Sequence, residues 1–196
     1  RVATGVISID GQPRRTRTPK QAIRAGMALV PRDRRHQGLI LPFSTADNIN
    51  LASLSDTATF GWEHRGRALE KARSWIEQLS IRPGRPELPV RLMSGGNQQK
   101  AILARWLGTD ARLFILDEPT LGVDIGARSD IYQRTRQLAD RGRAVLVSSS
   151  DAPELLGLCD RILVMWRGEL VANLATQGLT LDALLATING GQEQQL

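Results

Sequence analysis

"MSGGNQQKAILARWLGTDARLFILDEPTLGVD", residues 93–124, decides the fold. Ser94, Gly95 and Gly96 stand directly before an amphipathic run that reads as a helix to about Leu107. A serine there caps the helix, because its hydroxyl accepts from N–H groups that the first turn leaves unpaired. The glycines carry no Cβ, so an anion can approach the backbone closely, and the helix dipole favours one. An ordinary glycine-containing cap suits the same residues, and this segment alone leaves both readings open. Asn97 stands where a capping box has Glu or Gln. Residues 112–116, RLFIL, then read as an apolar strand that halts at Asp117-Glu118-Pro119. Such a strand is buried on both faces and belongs in a parallel sheet. Its end puts two carboxylates at the sheet's carboxyl edge, where α/β proteins bind ligands. A plain polar turn at a strand end is the alternative.

Outward from this segment, strands alternate with helices. Residues 2–9 alternate as a strand, and Asp10-Gly11 marks a hairpin turn. Thr18-Pro19 opens a short helix that stops at Gly26, and residues 27–31 form a buried strand. Residues 32–44 read as a polar loop ending in an apolar turn. Helices are expected over 45–54 and over 67–80, the second with Leu69, Ala72, Ile76 and Leu79 on one face. After Asp117 come a helix over 127–139, a strand over 143–149 and a helical turn or two over 153–158. A hairpin about Arg167-Gly168, a helix over 181–188 and a frayed tail complete the chain. The pattern predicts an α/β fold with a parallel sheet core, a helical subdomain and flanking antiparallel strands.

Composition bounds the class. With 41% hydrophobic and 23% charged residues, the 196-residue chain has the make-up of a globular domain with a core. No apolar run approaches the roughly 18 residues of a membrane span. Cys159 is the only cysteine, so no intrachain disulfide can form. The net charge of +6 is carried almost entirely by arginine. A solvated surface, nucleic acid, anionic lipid or a phosphate ligand each fits that charge. Trp62, Trp75 and Trp106 are expected to pack rather than to stack bases. Arg34-Arg35 is expected in a solvated loop, with steering of a nucleotide or contact with a membrane subunit as the alternative, and His36 and His64 are expected on the surface.

Taken together and in this order, "MSGGNQQKAILARWL" and "LFILDEPTLGVD" resemble the signature motif, Walker B motif and D-loop of ATP-binding cassette (ABC) transporter ATPases. "AIRAGMALVPRDRRHQGL" is similar to a segment in the second nucleotide-binding domain of tandem monosaccharide importers of the ribose, galactose and autoinducer type. "PELLGLCDRILVMWRGELV" is similar to the family's closing strands. The resemblance runs from about residue 5 to residue 175. It implies a P-loop-type core at 1–39, an α-subdomain at 40–92, the signature, Walker B, D-loop and switch region at 93–175, and a C-terminal helix and tail at 176–196.

The resemblance also implies roles. Asp117 would position Mg²⁺, and Glu118 would orient the attacking water or act as its base. Asp124 would be the D-loop acid coupling two nucleotide sites. Ser94, Gly95, Gly96 and Gln98 would contact the γ-phosphate of ATP held by a partner nucleotide-binding domain. The α-subdomain would meet membrane-spanning permease subunits at the cytoplasmic face of the inner membrane. A periplasmic sugar-binding protein would be an indirect partner, with no nucleic acid involved. Branches acting on ribosomes or DNA usually follow "DEPT" with "NHLD" or carry long coiled coils, and this chain has "LGVD" and no heptad run.

Three departures stand out. No G-x-x-x-x-G-K-S/T loop occurs, and in the family that loop precedes "GVISIDG". The chain therefore reads as the C-terminal piece of a longer one, expected by itself neither to bind ATP tightly nor to hydrolyse it. A domain acting only as an interaction module is the competing reading. The Q-loop region, Val30-Pro31-Arg32-Asp33, has no glutamine, and Arg32 replaces the acid usual in this subfamily. Ser150 stands where most of the family has a switch histidine, and is a further candidate nucleotide contact.

Overall fold

The computed structural model describes residues 5–54, 58–59 and 62–193, in two compact units, residues 1–146 and 147–196. The first unit opens on a hairpin: β1 (Ser8–Ile9) and β2 (Gln12–Pro13) pair antiparallel across Asp10-Gly11. Those turn residues have φ of 52° and 72°, the left-handed pair that a two-residue hairpin turn requires. Residues 2–4 of the expected first strand lie outside the described residues. α1 (Pro19–Arg24) starts as expected, with the Gln21 N–H donating to the Thr18 hydroxyl and Pro19 in the first turn. β3 (Met27–Val30) follows.

Residues 34–38, expected as loop, close a π-helical turn. Asp33 caps it, accepting from the His36 N–H at 3.1 Å. Gly38 lets the turn sit against a later helix: a Cβ there would lie 2.6 Å from Ile102 Cδ1. α2 (Thr45–Asn50) begins with a complete capping box between Ser44 and Asp47. It stops short of residue 54. The buried Asn50 amide donates to the Ala68 carbonyl at 2.9 Å, a tertiary bond that local sequence does not announce. β4 (Ala58–Thr59) and β5 (Trp62–Glu63) then form a small hairpin in a span expected to be mostly helical.

α3 (Arg65–Gln78) buries Ala68, Ala72 and Ile76. The expected stripe holds at Ala72, Ile76 and Leu79, all buried, while Leu69 is only half-buried and Ala68 joins the buried face. Ser80 ends the helix early, because it takes φ 50° and the Ile81 N–H closes onto the Ile76 carbonyl at 2.9 Å. α4 (Gly95–Leu107) is buried at every position from Gln98 to Arg105. β6 (Leu113–Asp117), α5 (Ile125–Asp140) and β7 (Ala144–Ser148) follow. The sheet order is β3-β6-β7, with β3 and β6 parallel and Ala28 opposite Phe114, Val30 opposite Leu116. Those four side chains are all buried, and α4 packs against β3, α2, α3 and α5. The sheet's carboxyl edge is thereby fixed, and with it the position of Asp117.

Arg105 fastens α4 to two neighbours. Its Nη1 donates to the Gly38 carbonyl at 2.6 Å, its Nε to the Asn48 carbonyl at 2.8 Å, and Nη2 to Asn48 Oδ1 at 3.2 Å. Burial pushes its pKa down to about 10, so it stays charged at neutral pH. Above about pH 10 the folded chain binds fewer protons here than the unfolded one. At this group stability therefore does not change with pH between pH 6 and 9, where Arg105 is charged in both states, and rises only as pH climbs past about 10. Removing the charge regains some desolvation energy but strands buried carbonyls, at about 1–3 kcal/mol each, so the loss wins. Arg105→Met is expected to destabilise the fold by about 3 kcal/mol, a fall in Tm of roughly 6–12 °C, read by thermal melting.

The second unit holds α6 (Ala152–Leu158), β8 (Arg161–Trp166), β9 (Glu169–Ala175) and α7 (Leu181–Glu193). β8 and β9 pair antiparallel about Arg167-Gly168, both at positive φ, as expected. Ala152, Ile162, Val164 and Leu184 form its core. α7 continues past Ile188 through residues expected to fray. Among the described residues, no helix is long and apolar enough to cross a membrane.

Candidate functional site

The start of α4 is built around Ser94, which is exposed and takes extended backbone, φ −63° and ψ 159°. Its Oγ accepts from the Asn97 N–H at 3.5 Å and from Asn97 Nδ2 at 2.8 Å. The Asn97 side-chain oxygen in turn accepts the Arg82 N–H at 2.7 Å. Asn97 thus replaces the acid of a capping box with an amide and ties the preceding loop to the helix. Because Ser94 Oγ serves as acceptor in both bonds, its own proton remains a donor for something outside.

The two glycines have a packing role that spacing alone did not reveal. A Cβ on Gly95 would lie 2.6 Å from Arg34 Nη2 and 3.0 Å from the Gly122 carbonyl. A Cβ on Gly96 would lie 2.8 Å from Ala127 Cβ and 3.1 Å from Asp124 Oδ2. The absence of side chains therefore lets the tip of α4 seat directly on the 120–127 turn. Asp124 caps α5 by accepting the Ala127 N–H at 2.9 Å, and it is exposed beside Gly96. Ser94, Gly95, Gly96 and Asp124 form one corner where two helix N-termini meet.

Asp117 is the last residue of β6, and Glu118 follows it. Both are half-buried. Glu118 has φ 47°, a left-handed conformation that costs a non-glycine residue of order 1–3 kcal/mol. Its carbonyl accepts the Leu121 N–H at 3.2 Å, starting the turn that leads to Asp124. Strain of this kind collects at functional sites, where the surrounding fold pays to hold one backbone direction.

Two expected residues stand apart. Gln98 is fully buried, and its Nε2 donates to the Val90 and Met93 carbonyls, both at 3.2 Å. It corrects the expected phosphate contact: the amide faces inward and holds the loop that leads into Ser94. Ser150 lies in the second unit, exposed, beside Ser149, whose hydroxyl donates to the Glu154 carboxylate.

Arg34 departs from the solvated loop expected of Arg34-Arg35. It is half-buried. Its Nη1 donates to the Leu121 carbonyl at 2.7 Å and its Nη2 to the Gly122 carbonyl at 3.4 Å. Burial lowers its pKa, Arg35 adds to that, and Asp33 opposes it. Next to it, hydrogen bonds from His36 hold the exposed Asp33 carboxyl below its usual range. Only the density of charge at 32–36 hinted at any of this, and a solvated loop has the same signature.

A family model described as ABC transporter matches residues 1–121. The chain belongs to the ABC transporter family. Curated ABC relatives include the ribose import ATP-binding protein RbsA of Geobacillus kaustophilus, 41% identical over 187 residues, covering 95% of this chain and 38% of that protein. The xylose import ATP-binding protein XylG of Burkholderia ambifaria is 45% identical over 183 residues, covering 93% and 35%. The chain therefore spans well under half the length of these relatives. Among solved structures, the ATP-binding cassette MJ0796, in a dimeric post-hydrolysis state with ADP and Pi, matches with TM-score 0.74 at 19% identity. That match covers 90% of this chain and 75% of the other. The α/β fold of ABC ATPase domains, expected from the sequence, is the fold observed.

Proposed function

We propose that this chain is part of the ATP-binding and hydrolysing subunit of an importer that takes up a monosaccharide. The observation that carries this reading is the corner where the α4 tip, with Ser94 exposed, is seated on the turn running from Asp117-Glu118 to Asp124. The import relatives support the same reading. In it, Ser94 and the N–H groups of Gly95 and Gly96 donate to the γ-phosphate of ATP held by a partner nucleotide-binding domain. Asp124 sits at the boundary between the two sites. Glu118 orients the attacking water and takes its proton at the carboxylate. Gln98 acts from behind by holding the 90–93 loop, and Ser150 takes the switch position.

Asp117 would supply a carboxylate to Mg²⁺, largely through water. No cluster of three or more His, Cys, Asp or Glu able to hold a metal occurs among the described residues. That donor set fits an ion that keeps its waters and takes few carboxylates, and does not fit one that needs an all-protein cage. When bound, the ion neutralises charge on the phosphate oxygens.

We assign residues 40–92 to a helical subdomain docking on membrane-spanning permease subunits. Exposed Ile40, Phe43, Leu51 and Leu54 support such a docking face. The protein would act at the cytoplasmic face of the inner membrane, fed from outside by a periplasmic sugar-binding protein. The test is uptake of labelled ribose and xylose by vesicles carrying the full-length protein, its permease and the loaded binding protein. ATP-dependent uptake is expected, and ATP turnover without uptake of ribose, xylose or labelled galactose tested beside them would reject the monosaccharide assignment.

A further inference from the structure

Arg34 and Arg105 hold the two ends of one π-helical turn. At one end Arg105, from within α4, donates to the Gly38 carbonyl, and Gly38 lies against Ile102 of the same helix. At the other end Arg34 reaches 87 residues along the chain to the Leu121 carbonyl, and reaches Gly122 beside it. The guanidinium lies over two glycines at once. A Cβ on Gly95 would be 2.6 Å from Nη2, and one on Gly122 would be 3.5 Å from it. Arg34 Nε is buried without a partner, so hydrogen bonding rests on the two terminal nitrogens and the carbonyls they meet. Without Arg34 the exposed 121–122 carbonyls would turn to water, leaving the local Leu121 N–H to Glu118 carbonyl and Val123 N–H to Thr120 carbonyl bonds to shape that turn.

We propose that Arg34 is a positioning residue that locks the 121–122 turn to the tip of α4, so that Ser94, Gly95 and Asp124 meet partner-bound ATP as one piece. This rests on the importer reading above. The role calls for arginine specifically. A planar fork spans two carbonyls, whereas a lysine ammonium is a single point charge on a flexible stem. It also separates positioning from simple attraction of phosphate, since lysine would serve the second.

The test is ATP hydrolysis by the full-length protein assembled with its permease, comparing wild type, Arg34→Met and Arg34→Lys. Arg34→Met is expected to lower kcat about tenfold with KM for ATP within about twofold, because geometry rather than nucleotide affinity is lost. Arg34→Lys is expected to lose nearly as much. Combined with Asp124→Asn, the losses are expected to be less than additive, since both act through the same corner. Full activity in Arg34→Lys, a KM rise of about fivefold or more, or additive losses with Asp124→Asn would each overturn the proposal. Should Arg34→Met fail to assemble, Arg34→Lys carries the same comparison. Glu118→Gln in the same assay separates the two levels: its loss of turnover beside normal Arg34 variants removes this proposal alone. An assembled wild type without ATP turnover removes both.

Discussion

Glu118→Gln, in the full-length protein assembled with its permease, is expected to lower hydrolysis at the site containing Glu118 by about a hundredfold or more while ATP stays bound. The size follows from general base catalysis, which contributes about 10²–10⁴-fold when a positioned group takes the proton. Gln keeps the volume and the hydrogen-bonding reach of Glu but has no basic oxygen. Backbone geometry adds to the case. Glu118 is held at φ 47°, and Gln bears the same strain, so the substitution changes chemistry without relaxing the turn. Rapid-quench single turnover with labelled ATP measures the rate, and filter retention measures what remains bound. An unchanged single-turnover rate would remove the role given to Glu118.

Ser94→Arg is expected to act elsewhere. On the importer reading it would act on ATP held by the partner domain, and hydrolysis there is expected to fall about a hundredfold, the usual effect of losing one preorganised donor to a developing oxyanion. The substitution removes the hydroxyl that caps α4 by accepting from Asn97, a loss of about 1 kcal/mol. It also fills the exposed tip of α4 and adds positive charge at the positive end of a helix dipole. Ser94→Ala separates these terms, because it removes the donor and the cap without the bulk. Site-resolved single turnover distinguishes the two sites. Loss confined to the Glu118 site would mean that Ser94 serves its own domain.

The parts of the fold that were legible in the sequence are those fixed by local chemistry. α4 and β6 announce themselves through a Ser-Gly-Gly start and an apolar run ending in two acids. The turns at Asp10-Gly11 and Arg167-Gly168 do so through their residue types. The parts that were not legible depend on contacts between distant residues. α2 ends where Asn50 finds the Ala68 carbonyl, and Ala68, not Leu69, is the buried residue of the first turns of α3. Two-residue strands such as β4 and β5 offer too few positions for any period to register. α7 runs through Asn189-Gly190-Gly191, where propagation from an existing helix costs only about 1 kcal/mol per glycine. The candidate site divides the same way. Ser94, Asp117, Glu118 and Asp124 were named from motif residues. The inward turn of Gln98 and the reach of Arg34 were not, because no spacing rule encodes which carbonyls a long side chain will meet.

α4 is enclosed along its middle, and its N-cap, Ser94, is exposed. A rod gripped in this way cannot bend its tip aside by a local loop flicker. To withdraw Ser94 from a neighbouring nucleotide, the first unit would have to carry the rod with it, along with the π turn pinned at Gly38. On the importer reading the stroke would then be a body's travel rather than a segment's, and a push on the surface of that body would arrive at Ser94 with little lost to slack.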